Sequence, residues 1–546
     1  MTPQALRDIL LKNRNVADTE QFLSPSYERL SDPYLMHDME RAVVRVFEAM
    51  EAKEKIVIYS DYDCDGIPGG VLCVEFFKKI GYENVSNYIP HRHDEGYGLH
   101  KDAIDTFIKD GVSLIITIDL GITAVDEVAH AAVSGIDIII TDHHEPLAVL
   151  PKAYAIVNPK LGSYPDPMLC GAGTIFRLVQ AFLQKYGEYY KVPVGWEKWL
   201  LDMVGIATLS DMVPLVHENR ILAHFGLQVL RKTRRPGLIA LARLMNMDLR
   251  YLVEEDVTFM IAPRLNAASR MASPELAFSV LAESDPVQAK ATAETLSKIN
   301  DERKYEVARI MKEVHQTLAK RESSPVIVIG NPEWRVGVLG LVAGKLVESH
   351  GCPVFVWGGH DEDCYKGSCR AEGSASVVEM MSGLSDGALL QFGGHEQAGG
   401  FSVSTTEIHF LEERLLAVYE KVKRGVSEKQ KSYTIDTPLL LEDISRNLFD
   451  TIDTLAPFGV GNPKPTFLFE KVEVISLKQF GKTKEHLEII VGGQNGKKVK
   501  AIAFFANETS YDCPIVIGEK INLVGTLELS RFAGKVELRL RIVDVI

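Results

Sequence analysis

Three runs near the N-terminus are almost wholly apolar, and each ends in acid: IVIYSDYDCDG (56–66), LIITIDLG (114–121) and IDIIITDHHEP (136–146). Apolar runs of this kind, rich in Ile and Val, suit strands buried on both faces of a parallel sheet. Helical periodicity separates them. The pattern predicts helix over Met39–Ala52, strand over 56–60, helix over Gly70–Ile80, strand over Val85–Ile89 and helix over Lys101–Lys109. Strand 114–118, helix Ala124–Val133, strand 136–141 and a short apolar run Tyr154–Val157 follow. Such alternation predicts an α/β fold with a doubly wound, mostly parallel sheet.

Residues 1–40 read as a helical arm broken at Ser24-Pro25 and Asp32-Pro33, and residues 168–184 and 197–245 as mainly helical. A long charged helix is expected from about 284 to 322, joining two lobes. A second α/β region opens with strand 326–330, helix Val338–Ser349 and strand 353–357, and contains a glycine-rich loop, GGHEQAGGF (393–401). From 432 onward short dyad-alternating segments lie between Gly-containing turns, which predicts a small β-barrel. The expected domains are therefore 1–40, 41–230, 231–322, 323–430 and 431–546.

The acidic strand ends carry the candidate chemistry. In an open α/β sheet, ligands bind at the C-terminal ends of the strands. Carboxylates gathered there repel and resist burial unless cations neutralise them, and a pair of divalent metal ions is the simplest neutraliser. Asp61-x-Asp63-x-Asp65-Gly66 opens like an EF-hand loop, but position 12 is Leu72 and the motif follows a strand. A strand-to-helix turn fits better, with Gly66, Gly69 and Gly70 permitting tight backbone and residues 61, 63 and 65 facing one cavity. Asp119 ends the second strand, and Asp142-His143-His144 ends the third. Asp211 stands in the apolar segment VGIATLSDMVPL, where it is either a helix cap or a further ligand; the surrounding acids favour the ligand. Mixed carboxylate and imidazole donors suit Mn2+ or Mg2+, with Mn2+ the better match to His, and do not suit zinc. Two such ions roughly 4 Å apart activate water and stabilise the attacking and leaving oxygens of a phosphoryl displacement.

Composition narrows the picture further. With 46% hydrophobic and 25% charged residues, the chain is ordinary for a globular protein. It lacks a membrane-spanning stretch and a signal-peptide core, so neither a membrane partner nor export is expected. Seven scattered cysteines without a CxxC pair fit a reducing cytoplasm. The net charge of −14 argues against indiscriminate nucleic-acid binding over the whole surface but allows a local basic groove. In the barrel, Lys471, Lys478, Lys482, Lys484, Lys497, Lys498 and Lys500 sit among Phe467, Phe469, Phe480, Phe504, Phe505 and Phe532. This mixture suits stacking of bases and pairing of phosphates for the domain as a whole, although any single Phe is more readily core.

DYDCDG (61–66), IDLG (118–121), TDHHEP (141–146) and SDMVPL (210–215) resemble the four motifs of the DHH phosphoesterase superfamily. GGHEQAGG (393–400) resembles the signature of its associated DHHA1 domain. IPHRHDEGYGL, VNPK, LCGAGTIFRL, APRLNAASRM, KGSCRAEGS and LAPFGVGNPKPTF extend the likeness to the superfamily's bacterial single-strand-specific DNA exonucleases, which end in an OB-fold-like barrel. Leu120, Ser269 and Cys369 depart from the usual residues without removing a ligand.

The resemblance implies roles. Asp63 would sit on one metal and Asp65 on the other, Asp119 would bridge, and His143 and Asp211 would complete the second. Asp61 would support the first metal. Asp142 would orient an imidazole or hold the turn, and His144 would face the scissile phosphate, assist the leaving oxygen or make a structural hydrogen bond. Arg92, Ser368 and Arg370 resemble a pocket for a terminal 5′ phosphate, which guanidinium forks suit. Tyr97, Arg264, Asn266, Arg270, Gly394 and His395 resemble groups along the strand path. The implied function is 5′-to-3′ exonucleolytic hydrolysis of single-stranded DNA in repair and recombination, by a cytoplasmic monomer working with a single-strand-binding protein and a helicase. Two alternatives stay open: a DHH phosphodiesterase on short oligonucleotides or nucleotides, and a non-catalytic DNA-binding scaffold. Tyr59 stands where the group's pyrophosphatases have His, which counts against pyrophosphate.

Overall fold

The apolar runs assemble as a parallel sheet of β1 (Lys55–Ser60), β2 (Val85–Tyr88), β3 (Val112–Ile118), β4 (Asp137–Thr141) and β5 (Ala155–Val157), in the order β2-β1-β3-β4-β5. This is the arrangement in a computed structural model that describes all residues except 362, 374, 424–432, 482–483, 509, 512 and 532–534, and except the side chains of 360 and 361. Lys482, Phe532, Ser374 of KGSCRAEGS and the expected boundary between 430 and 431 lie outside the described residues.

Strand order reverses beside β1, so β1 and β3 flank the crevice where such sheets take ligands. The helix after β1 covers Gly66–Ile80 and begins earlier than the apolar periodicity suggests. Its start is set by Asp63, whose Oδ1 accepts from the backbone N–H of Asp65 at 2.8 Å and of Gly66 at 3.1 Å. Gly66 has no room for a side chain, because a Cβ would lie 2.6 Å from the Asp61 backbone. Gly69 lets the same helix press on β3, where a Cβ would meet Ile118 Cγ2 at 2.6 Å.

The long connector helix spans Pro286–Leu318, with its N-terminus capped by Asp285. A second sheet follows, built from β6 (Ile327–Gly330), β7 (Val354–Asp361), β8 (Cys364–Arg370), β9 (Gln391–Gly394) and β10 (Ala398–Ser404), in the order β6-β7-β8-β10-β9. Here the structure corrects the expected loop at 393–401. The glycines belong to an antiparallel hairpin, with Gly399 opposite Gly394 and Gly400 opposite Gly393. Glycine density signalled irregular backbone, yet a Cβ on Gly394 or Gly399 would strike the opposing strand at 2.3 Å and 2.8 Å. These residues are small because strands pack there.

By chain contacts, residues Pro33–Asp211 and Gly226–Gln430 form one unit, while Met1–Asp32, Met212–Phe225 and Lys431–Ile546 form another. In the second unit, β11 (Thr437–Pro438), β12 (Phe467–Phe480), β13 (His486–Gly492), β14 (Lys498–Ala503), β15 (Lys520–Ser530) and β16 (Glu537–Val545) make a sheet that β12–β15 pairing closes into a barrel. Phe467, Phe469, Leu487, Ile489 and Leu523 fill its core together with Leu6 and Leu10 of the N-terminal helix Pro3–Asn13. No helix among the described residues is long and apolar enough to cross a membrane.

The close approaches set opposite signs for two similar substitutions. Gly69→Ala should destabilise the chain by about 1–3 kcal/mol through overpacking. Gly344→Ala, in the helix Val336–His350 with nothing within 4 Å of the added Cβ, should raise stability by up to about 1 kcal/mol. Chemical denaturation of both variants reads the contrast.

Candidate metal centre

The ends of β1, β3 and β4 bring the predicted acids together. Three groups have ligand atoms within 4.8 Å of one another: Asp61/Asp63/Asp119, Asp65/His143/Asp211 and Asp119/His143/His144. Asp61 and Asp63 fall in one of these groups and Asp65 in another, and the charges of Asp63 and Asp65 act on each other and on Asp119. Asp119 and His143 each belong to more than one group.

Each side chain is held by a distinct device. Asp65 is buried at the start of the helix Gly171–Tyr186 and accepts from the backbone N–H of Gly171 at 2.6 Å and of Ala172 at 2.7 Å. Asp119 takes left-handed backbone, φ 65°, so that its side chain turns back over the sheet edge. Gly171 leaves it space, since a Cβ there would lie 2.5 Å from the Asp119 Cβ. Asp211 closes the helix Leu201–Ser210, and its Oδ2 stands 3.7 Å from His143 Nε2. His143 Nε2 also lies 3.1 Å from Asp119 Oδ1 and 3.7 Å from Asp65 Oδ2.

Electrostatics mark this as a place for cations. Burial, with Asp63 beside it, pushes the Asp65 carboxyl up to about 7. Burial and the charges of Asp65 and Asp63 push Asp211 up to about 9. Asp61 and Asp119 are raised for the same reasons, burial first and neighbouring carboxylates second. Burial, then the adjacent His144, lowers His143 to about 4, which leaves it a neutral imidazole at physiological pH. Asp61 Oδ1 and Asp119 Oδ1 are buried without a hydrogen-bond partner among the described residues. Hard oxygen donors, a neutral imidazole and orphaned buried oxygens fit divalent cations of the Mn2+ or Mg2+ kind.

Asp142 differs from the others. It is fully buried, and its Oδ1 accepts from the backbone N–H of His143 at 2.7 Å and of His144 at 3.1 Å, with His144 Nδ1 at 2.8 Å. Its Oδ2 accepts from the Ile122 N–H at 2.9 Å. Burial opposes its ionisation, but these bonds and His144 outweigh burial and hold its carboxyl below the usual range. In return Asp142 raises His144 against the opposing effect of burial. Tyr97 Oη sits 3.2 Å from His144 Nδ1 and 3.2 Å from the Asp119 carbonyl.

The predicted phosphate groups lie in the same unit. Arg92 rests over the ring of Tyr62, 4.7 Å from its centroid, and Tyr62 separates Asp61 from Asp63. Arg370 Nη1 donates to the Cys369 carbonyl at 2.8 Å and to Ser368 Oγ at 3.3 Å. Burial, then the like charges of Arg92, Arg303 and Arg370, lowers Arg270 to about 9. Arg264 donates to the Met260 carbonyl at 2.7 Å, and its Nε is buried without a partner among the described residues. Asn266 is half-buried on the helix Ala262–Met271 with Arg264 and Arg270. Gly394 and His395 lie exposed on the β9–β10 hairpin, and no hydrogen bond or ion pair among the described residues ties them to the carboxylates.

Sequence reasoning missed Tyr62 as the rest for Arg92, and Gly171 and Ala172 as the donors to Asp65. The available signal was the Gly-Ala-Gly opening of an apolar helical run. In the barrel, Phe467 and Phe469 are core, whereas Phe505 is 84% exposed and Phe504 37%. Phe480, Phe504 and Phe505 surround His486 with ring centroids 5.1, 5.2 and 5.0 Å away, and Arg541 lies over Phe504 at 5.1 Å.

The chain is similar to known proteins. Residues 55–208 match the model of the DHH family, N-terminal domain, and residues 435–544 match the RecJ OB domain. The chain is 32% identical to the single-stranded-DNA-specific exonuclease RecJ of Bacillus subtilis, covering 100% of this chain and 68% of that protein. It is also 32% identical to the protein of that name from Haemophilus influenzae, over 99% and 96% of the two chains. Among solved structures, RecJ from Thermus thermophilus in complex with Mn2+ superposes with TM-score 0.82 at 24% identity, over 99% of this chain and 76% of that one, a likeness of fold. An exonuclease RecJ bound to manganese superposes with TM-score 0.64 at 28% identity, over 72% and 96%.

Raised carboxyls give a signed prediction. Without metal, the folded chain keeps protons on Asp65 and Asp211 that the unfolded chain has released above about 4, so these groups make stability fall as pH rises towards about 9. His143 works in the opposite sense only below about 6.5. The melting temperature of metal-free protein should therefore rise as pH drops from about 9 to about 6.5. Saturating Mn2+ should raise it at every pH and remove that trend. A flat metal-free profile would contradict the assignment, as would an Asp65→Asn/Asp211→Asn double variant whose trend is no shallower than that of the wild type.

Proposed function

The chain belongs to the RecJ family of single-stranded-DNA-specific exonucleases, and on that premise we propose that it removes nucleotides from the 5′ end by metal-assisted hydrolysis at the crevice beside β1. Its activity is exonucleolytic cleavage of single-stranded DNA. In this reading Asp61, Asp63 and Asp119 would hold one divalent ion, and Asp65, His143 and Asp211, with Asp119, a second. Bound there, such ions activate water and neutralise charge at the scissile phosphate.

The chain's own residues do the rest. Arg92, Ser368 and Arg370 take the terminal 5′ phosphate, so the enzyme requires an end. The observation that carries this is the seat of Arg92 on Tyr62, 4.7 Å from the ring centroid, within the same turn that supplies Asp61 and Asp63. A phosphate held by Arg92 is thereby set beside the carboxylate groups, which leaves the next phosphodiester for cleavage. His144, whose protonated form Asp142 favours, has Nδ1 committed at 2.8 Å and presents Nε2 to the scissile phosphate or its leaving oxygen. Asp142 is buried away from substrate and acts as a positioning residue. Arg264, Asn266 and Arg270 line the strand path along one helix.

Phe504, Phe505 and His486 offer stacking faces for bases on the barrel. We place the enzyme in the cytoplasm, where all seven cysteines stay free thiols, as a monomer working in repair and recombination with a single-strand-binding protein and a helicase.

An end-labelled assay with Mn2+ tests the proposal: a 5′-phosphorylated single strand should be shortened from its 5′ end to mononucleotides or short pieces. Release from the 3′ end, or no preference over blunt duplex, would refute it. Asp119→Ala should abolish cleavage and leave DNA binding largely intact; turnover near wild type would remove Asp119 from the centre. A Phe504→Ala/Phe505→Ala variant should weaken single-strand binding by about 1–3 kcal/mol per lost base stack, measured by fluorescence anisotropy, with its melting temperature unchanged.

A further inference from the structure

Next to the Arg92, Ser368 and Arg370 group the same unit holds a cavity of about 700 Å³, within the roughly 300–1,000 Å³ of small-ligand sites. The carboxylate centre does not use it. Arg270, Arg335, Lys366 and His93 line it, and Asp94 is the acid on its wall. That acid is engaged elsewhere, with Asp94 Oδ2 2.7 Å from His91 Nδ1. Lys366 Nζ donates to the His93 carbonyl at 3.1 Å, and Arg270 Nη1 to the Gly337 carbonyl at 3.3 Å. Among the described residues no carboxylate pairs with Arg270, Arg335 or Lys366, so the cations converge on the cavity without a counter-ion.

Position gives the cavity its meaning. Lys366, Ser368 and Arg370 alternate along β8 and share one face, at about 7 Å per step of two residues. The helix Val336–His350 lies over that face, since a Cβ on Gly340 would stand 3.1 Å from Ser368 Oγ and 3.2 Å from Arg370 Nη2. The beginning of this helix, at Val336 and Gly337, lines the cavity. It has no side-chain cap and no acid in its first turn, so its N–H groups and positive end face the same space. Opposite Lys366, β7 carries Gly358, which leaves the wall bare. The terminal-phosphate group and the cavity thus follow one another along a single strand.

We propose that this cavity is a subsite for the β- and γ-phosphates of a single strand whose 5′ end carries a triphosphate. The inference rests on the reading of Arg92, Ser368 and Arg370 as holders of the terminal (α) phosphate. The reaction is unchanged: water adds to the phosphorus between the first and second nucleotides and the bond to the first nucleotide's 3′ oxygen breaks. One nucleoside 5′-triphosphate with a 3′ hydroxyl leaves, and the strand is left with a 5′ monophosphate. Later cycles proceed on that ordinary end.

The test uses the full chain with Mn2+ and three oligodeoxynucleotides of one sequence, ending in 5′ hydroxyl, monophosphate or triphosphate. Wild type should process the triphosphate end with a KM several-fold below that for the monophosphate, and mass spectrometry should find the nucleoside triphosphate as first product. Arg335→Ala and Lys366→Ala should raise KM for the triphosphate strand about tenfold and leave the monophosphate strand unchanged. A triphosphate end degraded no better than a 5′ hydroxyl would overturn the subsite, as would variants that slow both phosphorylated strands equally. Arg370→Ala separates the two readings: it should erase the advantage of monophosphate over hydroxyl. If that advantage survives, the terminal-phosphate assignment fails, whereas failure of the triphosphate arm alone condemns only the cavity.

Discussion

Mutual repulsion among carboxylates buried at one sheet edge is the constraint around which this chain is organised. Asp61, Asp65 and Asp119 are almost entirely withdrawn from water, and Asp211 and Asp63 stand close enough to raise them further. Such a group costs stability in the empty protein, so the surrounding backbone must prevent it from springing apart. The helix starting at Gly171 does so for Asp65 with two N–H donors. Left-handed backbone does so for Asp119. Glycines at 66 and 171 are required because the acids sit where a Cβ would be. The fold stores the repulsion, and a divalent cation releases it on binding.

The adjacent imidazoles are shifted in opposite directions by their surroundings. His143 is lowered by burial and by His144, which leaves a neutral ring ready to ligate. His144 is raised because Asp142 accepts its Nδ1–H. Asp142 can do this because it is ionised, and it is ionised because backbone N–H groups of Ile122, His143 and His144 surround it. The sheet edge thus holds two imidazoles, one residue apart in sequence, with opposite preferences for a proton.

Much of this was legible in the sequence, for a physical reason. Parallel strands buried on both faces must be continuous apolar runs, so an acid at their end stands out, and the positions of Asp61, Asp119 and Asp142 followed directly. The barrel segments were readable on the complementary ground, that strands with one face buried alternate apolar and polar residues. Contacts across long separations were not. Asp65 and Gly171 meet through the packing of two helices against β3, and nothing local in either segment announces it. The 393–401 hairpin was read as a loop because glycine signals both irregular backbone and close strand packing, and composition does not tell them apart. The barrel aromatics divided for a similar reason: Phe467 and Phe505 have equal hydrophobicity, and only closure of the sheet buries the first and leaves the second at 84% exposure.

The last step concerns the opposite charges. Arg92, Arg270 and Arg370 stand near the acidic centre, close enough for Arg92 to act on Asp61 and Arg270 on Asp63. Yet no ion pair joins the two sets among the described residues. Arg92 is drawn to the face of Tyr62, and Arg370 is tied to its own strand by Ser368 Oγ and the Cys369 carbonyl. Had the guanidiniums reached the carboxylates, each set would have satisfied the other and neither would need a ligand. Held apart, the acids call for cations and the arginines for phosphates. A nucleic-acid strand arriving with divalent metal would offer both at once, cations to the acids and phosphate oxygens to the arginines.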